Sequence, residues 1–170
     1  MKIIRITLFT LFIPLVAMSQ ENKELQQSKV DYESFLEISE EVHNYRESRL
    51  IPLEQFLGFS KDSSTILLDT RSEKAYRKKH LKGAVHLNFS DFTEGKLAKL
   101  IPNKETRILI YCNNNIDGDS INFATKMIPL ALNIPTFINL YGYGYHNIYE
   151  LSSLVPIQDN RLEFTGTEVE

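Results

Sequence analysis

Two stretches of the chain, Ile66-Leu67-Leu68 and Ile108-Leu109-Ile110-Tyr111, are apolar at consecutive positions rather than at alternate ones. A strand with one wet face alternates, so a strand apolar throughout must be covered on both sides, as the central strands of a parallel sheet are. Shorter β-rich runs occur at Ala84 to Leu87 and Thr136 to Leu140, and Leu50-Ile51 ahead of Pro52 reads as an edge strand. Helical stretches lie between them at Leu53 to Phe59, Ser72 to Lys78, Asp91 to Leu100, Asp119 to Leu132 and Tyr145 to Leu154, with a kink or early stop expected at Pro129. Such alternation implies strand-helix-strand crossovers. The expected fold is α/β: a mainly parallel central sheet of about five strands, with helices on both faces.

The ends of the chain read differently. Lys2 and Arg5 precede an apolar run from Ile6 to Met18 and a small-x-small site at Ala17-Met18-Ser19, the pattern of a signal peptide over residues 1–19 cleaved near Ser19. The run is too short to span a bilayer, Pro14 interrupts it, and no Cys follows it for lipidation. The expectation is export, to a periplasm or the medium. Residues 20–33 are polar and read as a flexible linker. Ser34 with Glu37 resembles a capping box, and Phe35, Ile38, Val42 and Tyr45 recur at helical spacing, which predicts a flanking helix over 34–48. The main domain then covers 49–156, and 157–170 form an acidic tail with Leu162 and Phe164 laid against the body.

Charge and cysteine content narrow the chemistry. Asp and Glu number 22 against 19 Lys and Arg, and against 17 once Lys2 and Arg5 are set aside. An acidic chain is unsuited to nucleic acid, whose phosphates need clustered cations. A single Cys forbids an internal disulfide and a cysteine-rich zinc site. His43, His80, His86 and His146 show no ligand spacing, so no metal is expected; without a phosphate-binding glycine motif no nucleotide cofactor is expected, and without a G-x-S-x-G element a serine hydrolase has no support.

The remaining nucleophile is Cys112. It follows the strand ending at Tyr111 and opens a polar loop, Asn113-Asn114-Asn115-Ile116-Asp117-Gly118-Asp119-Ser120. In an open α/β sheet the functional crevice lies beyond the carboxyl ends of the strands. A sulfur there, facing backbone N–H groups and the start of a helix at Asp119, is expected to be stabilised as a thiolate or persulfide. Asp117 and Asp119 work against this, because like charge near a thiolate raises its pKa. The side-chain amides of Asn113, Asn114 and Asn115 are candidate donors to a bound sulfur species.

These landmarks together resemble a rhodanese-like domain, the sulfurtransferase-type module that carries a persulfide on a loop cysteine. Leu68-Asp69-Thr70-Arg71 is similar to the family's apolar-Asp-x-Arg element, and Tyr76 to Asn88 to its Tyr, His, Gly-Ala and strand pattern. Ile108 to Cys112 resembles the strand that delivers the nucleophile. Asn139-Leu140 with Gly144-Tyr145 resembles the closing motif, with Tyr143 in place of a glycine and Ile148 in place of a tryptophan. The resemblance implies Cys112 as the catalytic nucleophile, with Asp69 and Arg71 in support, as rim residues or as a bracing ion pair. Its partners would be a small sulfur donor and a thiol acceptor, or a protein persulfide.

Two departures bear on function. The family's loop usually returns to its helix after about five residues and carries a cation, whereas 113–120 holds only Asp117 and Asp119. The related cysteine phosphatases need an Arg where Gly118 stands and usually carry a His where Tyr111 stands, which argues against phosphate-ester hydrolysis. Without a cation a dianion such as thiosulfate is a poor donor. The alternative function is a non-catalytic binding module with an acidic loop, meeting a protein partner through the 34–48 helix. A third reading is a redox cross-link between two chains through Cys112.

Overall fold

The computed structural model of the protein describes residues 25–169, so the expected leader at 1–19 and the first part of the linker lie outside the described residues. Residues 25–30 belong to a separate unit; they are exposed and carry neither helix nor strand. The second unit begins at Asp31 and contains all the regular structure among the described residues.

Helix α1 spans Tyr32–Glu47. It starts two residues ahead of the expected position because Asp31, not Ser34, is the cap: its carboxylate accepts the Ser34 backbone N–H at 3.0 Å and the Ser34 hydroxyl at 2.7 Å. Strand β1 (Leu50–Ile51) and helix α2 (Leu53–Ser60) follow, with Pro52 at the cap position, where its missing N–H costs nothing. Then come β2 (Ile66–Asp69), α3 (Glu73–Lys78, capped by the Ser72 side chain), β3 (His80–Leu81), β4 (Val85–His86), α4 (Glu94–Leu100, capped by Thr93) and β5 (Ile108–Tyr111).

Beyond β5 the order differs from expectation. A 3₁₀ turn at Asn113–Asn115 leads to β6 (Ile116–Asp117), and the expected helix at 119–132 is absent: those residues form turns, with a single 3₁₀ turn at Ile128–Leu130 that contains Pro129. Helix α5 occupies Asn133–Gly142, where a strand at 136–140 was expected, and β7 (Ile148–Leu151) lies where a helix at 145–154 was expected. Strands β8 (Val155–Pro156) and β9 (Phe164–Thr165) complete the chain.

The central sheet has the order β1-β7-β5-β2-β4 and every pairing in it is parallel. Its side chains alternate between two cores, as the pleat requires. On one face Leu68, Ile108, Ile110 and Ile148 meet Val42 of α1, Leu97 of α4, and Phe137 and Leu140 of α5; on the other Leu67, Leu109, Tyr111 and Leu151 meet Leu53 and Phe56 of α2. This double coverage is why β2 and β5 read as unbroken apolar runs. The apolar stripe of α1 lies against α5, with the Tyr45 ring 6.4 Å from Phe137 and 5.1 Å from Tyr141. The acidic tail is built into the body: β9 pairs antiparallel with β3, and the backbone N–H groups of Thr167 and Glu168 donate to the carbonyls of Arg77 and Lys78 at 2.9 Å. No helix among the described residues is long and apolar enough to cross a membrane.

Candidate functional site

Cys112 follows the last residue of β5 at the carboxyl edge of the sheet, between two elements that begin there. Ile108 and Ile110 point toward the core containing α5, and the period of two carries the Cys112 side chain to the same side. There the backbone N–H groups of Asn114, Leu132 and Asn133 face the sulfur, and the N–H of Asn115 closes a capping box with it. Half of this cradle comes from the turn after Cys112 and half from the start of α5. The expected donor, a helix beginning at Asp119, contributes nothing because it does not form.

Cys112 is only 1% exposed. Burial pushes its thiol pKa up; the N–H groups of Asn114 and Asn133 pull it down, the carboxylate of Glu150 pushes it up again and Leu132 pulls it down, with a net rise. The N–H groups do lower the thiol pKa as expected, but burial outweighs them. Neither of two surface cavities reaches it. One, of about 560 Å³, is floored by Phe56, Leu57, Leu67, Leu81 and Leu162; the other, of about 230 Å³, lies between Ile38 of α1 and Ile138 and Tyr143.

The loop residues are engaged in holding chain rather than sulfur. Asn113 Nδ2 donates to the Ala124 carbonyl at 2.9 Å, and Asn114 Nδ2 donates to the Lys126 carbonyl at 2.8 Å while its Oδ1 accepts the Lys126 N–H at 3.0 Å. Asn115 Nδ2 donates to the Leu151 carbonyl at 2.7 Å, and its Oδ1 accepts the Cys112 N–H at 2.9 Å. None of the three amides is aimed at the sulfur, contrary to expectation. Ile116 is buried, and β6 pairs with β8, which draws the chain away from the cysteine instead of back to it. Gly118 takes φ +88°, a conformation open to glycine at little cost. Asp117 and Ser120 are exposed.

Asp119 is tied elsewhere. Its carboxylate takes the Lys79 ammonium at 3.0 Å and caps the Asn122 N–H at 3.0 Å. Burial works to raise its pKa, but these partners outweigh it and hold the carboxyl at about 2. The acid that the sulfur senses is instead Glu150, on the neighbouring strand β7 in register with Ile110. Glu150 is 5% exposed and is gripped by Arg46 through Nε at 2.5 Å and Nη2 at 2.6 Å, with Asn133 Nδ2 donating at 3.1 Å. Sequence reasoning missed Arg46, Asn133 and Glu150. The available signal was a lone carboxylate inside the strand Ile148-Tyr149-Glu150-Leu151, since a buried charge demands a partner.

Asp69 and Arg71 form a brace. Both are buried; Arg71 Nε and Nη2 donate to the Asp69 carboxylate at 2.7–3.1 Å, Tyr111 Oη donates to Asp69 Oδ2 at 2.6 Å and accepts the Leu81 N–H at 3.0 Å. Arg71 also donates to the carbonyls of Asn122 at 2.9 Å and Lys79 at 2.7 Å. The pair thereby fastens α3, β3 and the 119–123 turn to the carboxyl edge of β2 and β5. The rings of His80 and His86 both stack on Tyr76, at 3.7 and 4.7 Å between ring centres. Among the described residues no group of three His, Cys, Asp or Glu side chains is placed to hold a metal ion.

The family model described as Rhodanese-like domain matches residues 53–153. Comparison with curated protein sequences gave no match. Among solved structures, the BH2092 protein of Bacillus halodurans is similar with a TM-score of 0.53 and 17% identity over 76% of this chain and 86% of that one. A structure titled rhodanese with anions, from E. coli, aligns with a TM-score of 0.40 and 16% identity over 60% of this chain and 98% of its own.

Proposed function

Because this chain belongs to the rhodanese-like domain family, we propose that it is a sulfurtransferase or sulfur carrier that accepts a sulfur atom on Cys112. The observation that carries the reading is the convergence of backbone N–H groups from the Asn113–Asn115 turn and the start of α5 on one sulfur at the sheet's carboxyl edge. Fixed dipoles of this kind stabilise an anion without reorganising. Because Cys112 is sealed from solvent at rest, the site must first open to the donor, whereupon the thiol loses its proton to solvent. The thiolate attacks the outer sulfur of a persulfide-type donor; an S–S bond forms to Cys112, and the donor leaves with the electron pair as a thiolate. An acceptor thiolate then takes the outer sulfur and releases the Cys112 thiolate. The charge near the sulfur is that of Glu150 rather than a cation, which favours a singly charged persulfide donor over a dianion. The leader-like residues 1–19 support action outside the cytoplasm.

Burial of Cys112 favours a second reading, a binding module that keeps the fold without the chemistry. Intact-mass measurement after incubation with persulfide and polysulfide donors separates the two. A gain of one sulfur, removed by an added thiol and absent in Cys112→Ser, supports transfer; no gain with any donor supports the binding module.

A further inference from the structure

We infer that Arg46, on a helix that ends before the matched domain begins, is a positioning residue for Cys112, acting through Glu150, Asn133 and Asn115. The inference rests on the reading of Cys112 as the sulfur acceptor and assigns the flanking helix a part in that site.

The contacts are continuous. The Arg46 guanidinium holds both oxygens of Glu150, at 2.5 and 2.6 Å. Asn133 Nδ2 bridges Glu150 Oε1, at 3.1 Å, to Asn115 Oδ1, at 2.9 Å. The same Asn115 oxygen takes the Cys112 N–H at 2.9 Å, and the backbone N–H of Asn133 faces the Cys112 sulfur. Every member after Arg46 is buried. Because Ile110 is in register with Glu150, and Cys112 lies two residues past Ile110, the carboxylate and the sulfur share a face of the sheet.

A buried carboxylate needs a partner, and here the partner comes from α1. Paired, Glu150 presents the sulfur with a nearly cancelled charge; unpaired, it would present a full negative one. Other charged groups are turned away: α5 has none, Asp117 is exposed, Asp119 is bound to Lys79, and Arg49 is bound to Tyr149 and Tyr45. The pair also fixes Asn133, and with it the donor end of α5.

The test is the pH titration of Cys112, the chain's single cysteine, followed by the ¹³Cβ shift of labelled full-length protein without any donor. Glu150→Gln is expected to lower the midpoint by roughly one pH unit and Arg46→Met to raise it by about as much, opposite signs that loosened packing would not produce. The double variant is expected to return near the wild-type midpoint, and Arg46→Lys, which keeps the charge, to stay near it. Single-variant midpoints that do not move, or that move in the same direction, would overturn the inference. Cysteine titration needs no sulfur donor, so a failed mass-gain experiment with normal coupling would count against the transfer reading alone.

Discussion

The side-chain oxygen of Asn115 lies 2.9 Å from the backbone nitrogen of Cys112, so the main chain at Cys112 is held by a residue three positions later. That oxygen also takes Asn133, while the Asn115 amide nitrogen reaches the Leu151 carbonyl at the end of β7. Asn115→Ala leaves the buried Cys112 N–H without its acceptor, removes one of the two acceptors of the Asn133 amide and takes a donor from the Leu151 carbonyl, and is expected to lower stability by about 2–3 kcal/mol. Urea unfolding measures it, and a loss under about 0.5 kcal/mol would mean the contacts are replaceable.

Removing one member of the Asp69 brace is expected to cost more than removing its neighbour. Arg71→Met strands a fully buried carboxylate, for a loss of about 3–5 kcal/mol. Tyr111→Phe deprives Leu81 N–H of its acceptor and Asp69 of one donor, a loss of about 1–3 kcal/mol. Equal losses for the two variants would refute the ranking.

Acid should expose the Asp119 contacts. Its carboxyl ionises at about 2 in the folded chain against an ordinary value of 3.8, so its contribution is full above 3.8 and disappears as pH falls through about 2. Asp119→Asn is expected to be less stable than wild type at neutral pH and indistinguishable below the folded value. Paired denaturation curves across that range provide the comparison.

For Cys112 the sign is reversed. Burial raises the thiol above its ordinary 9.0, so the unfolded chain ionises first and this contribution to stability declines as pH rises past 9.0. Cys112→Ser is expected to flatten the alkaline side of the stability curve. Iodoacetamide should label the native thiol slowly at neutral pH and faster after unfolding, whereas equal rates would show the site open at rest.

Gly166 is a sharper steric test. It has φ +140°, and a Cβ there would meet the Lys78 carbonyl where β9 returns to β3. Gly166→Ala is expected to cost about 1–3 kcal/mol, lowering Tm by several degrees. An unchanged Tm would show that the tail adapts.

The sheet was legible where burial left a one-dimensional trace. Ile66 to Leu68 and Ile108 to Tyr111 are apolar because both faces are covered, and their order alone places Cys112 at the carboxyl edge. The region from 119 to 151 misled for reasons specific to its residues. Thr136, Phe137 and Ile138 have strong strand preferences, yet Asn133, Thr136, Phe137 and Leu140 are the buried set, a helical period that overrides them. Pro135 is tolerated because it sits in the first turn. Ile121 and Ile128 suggested an amphipathic helix, but they are 80% and 82% exposed, and Asn113 and Asn114 bond the backbone at Ala124 and Lys126. The Arg46–Glu150 link joins residues 104 positions apart, beyond the reach of any local pattern.

Since the N–H groups that face the sulfur come from the beginnings of two separate elements, the peptide from Ile116 to Ala131 leaves the cradle and rejoins it without supplying any of them. That excursion is a natural grafting point. A redesigned sequence spliced there would have to keep the backbone at Asn122, Ala124 and Lys126, which Arg71, Asn113 and Asn114 hold, so that the surroundings of Cys112 stay as they are while the exposed residues between these anchors change.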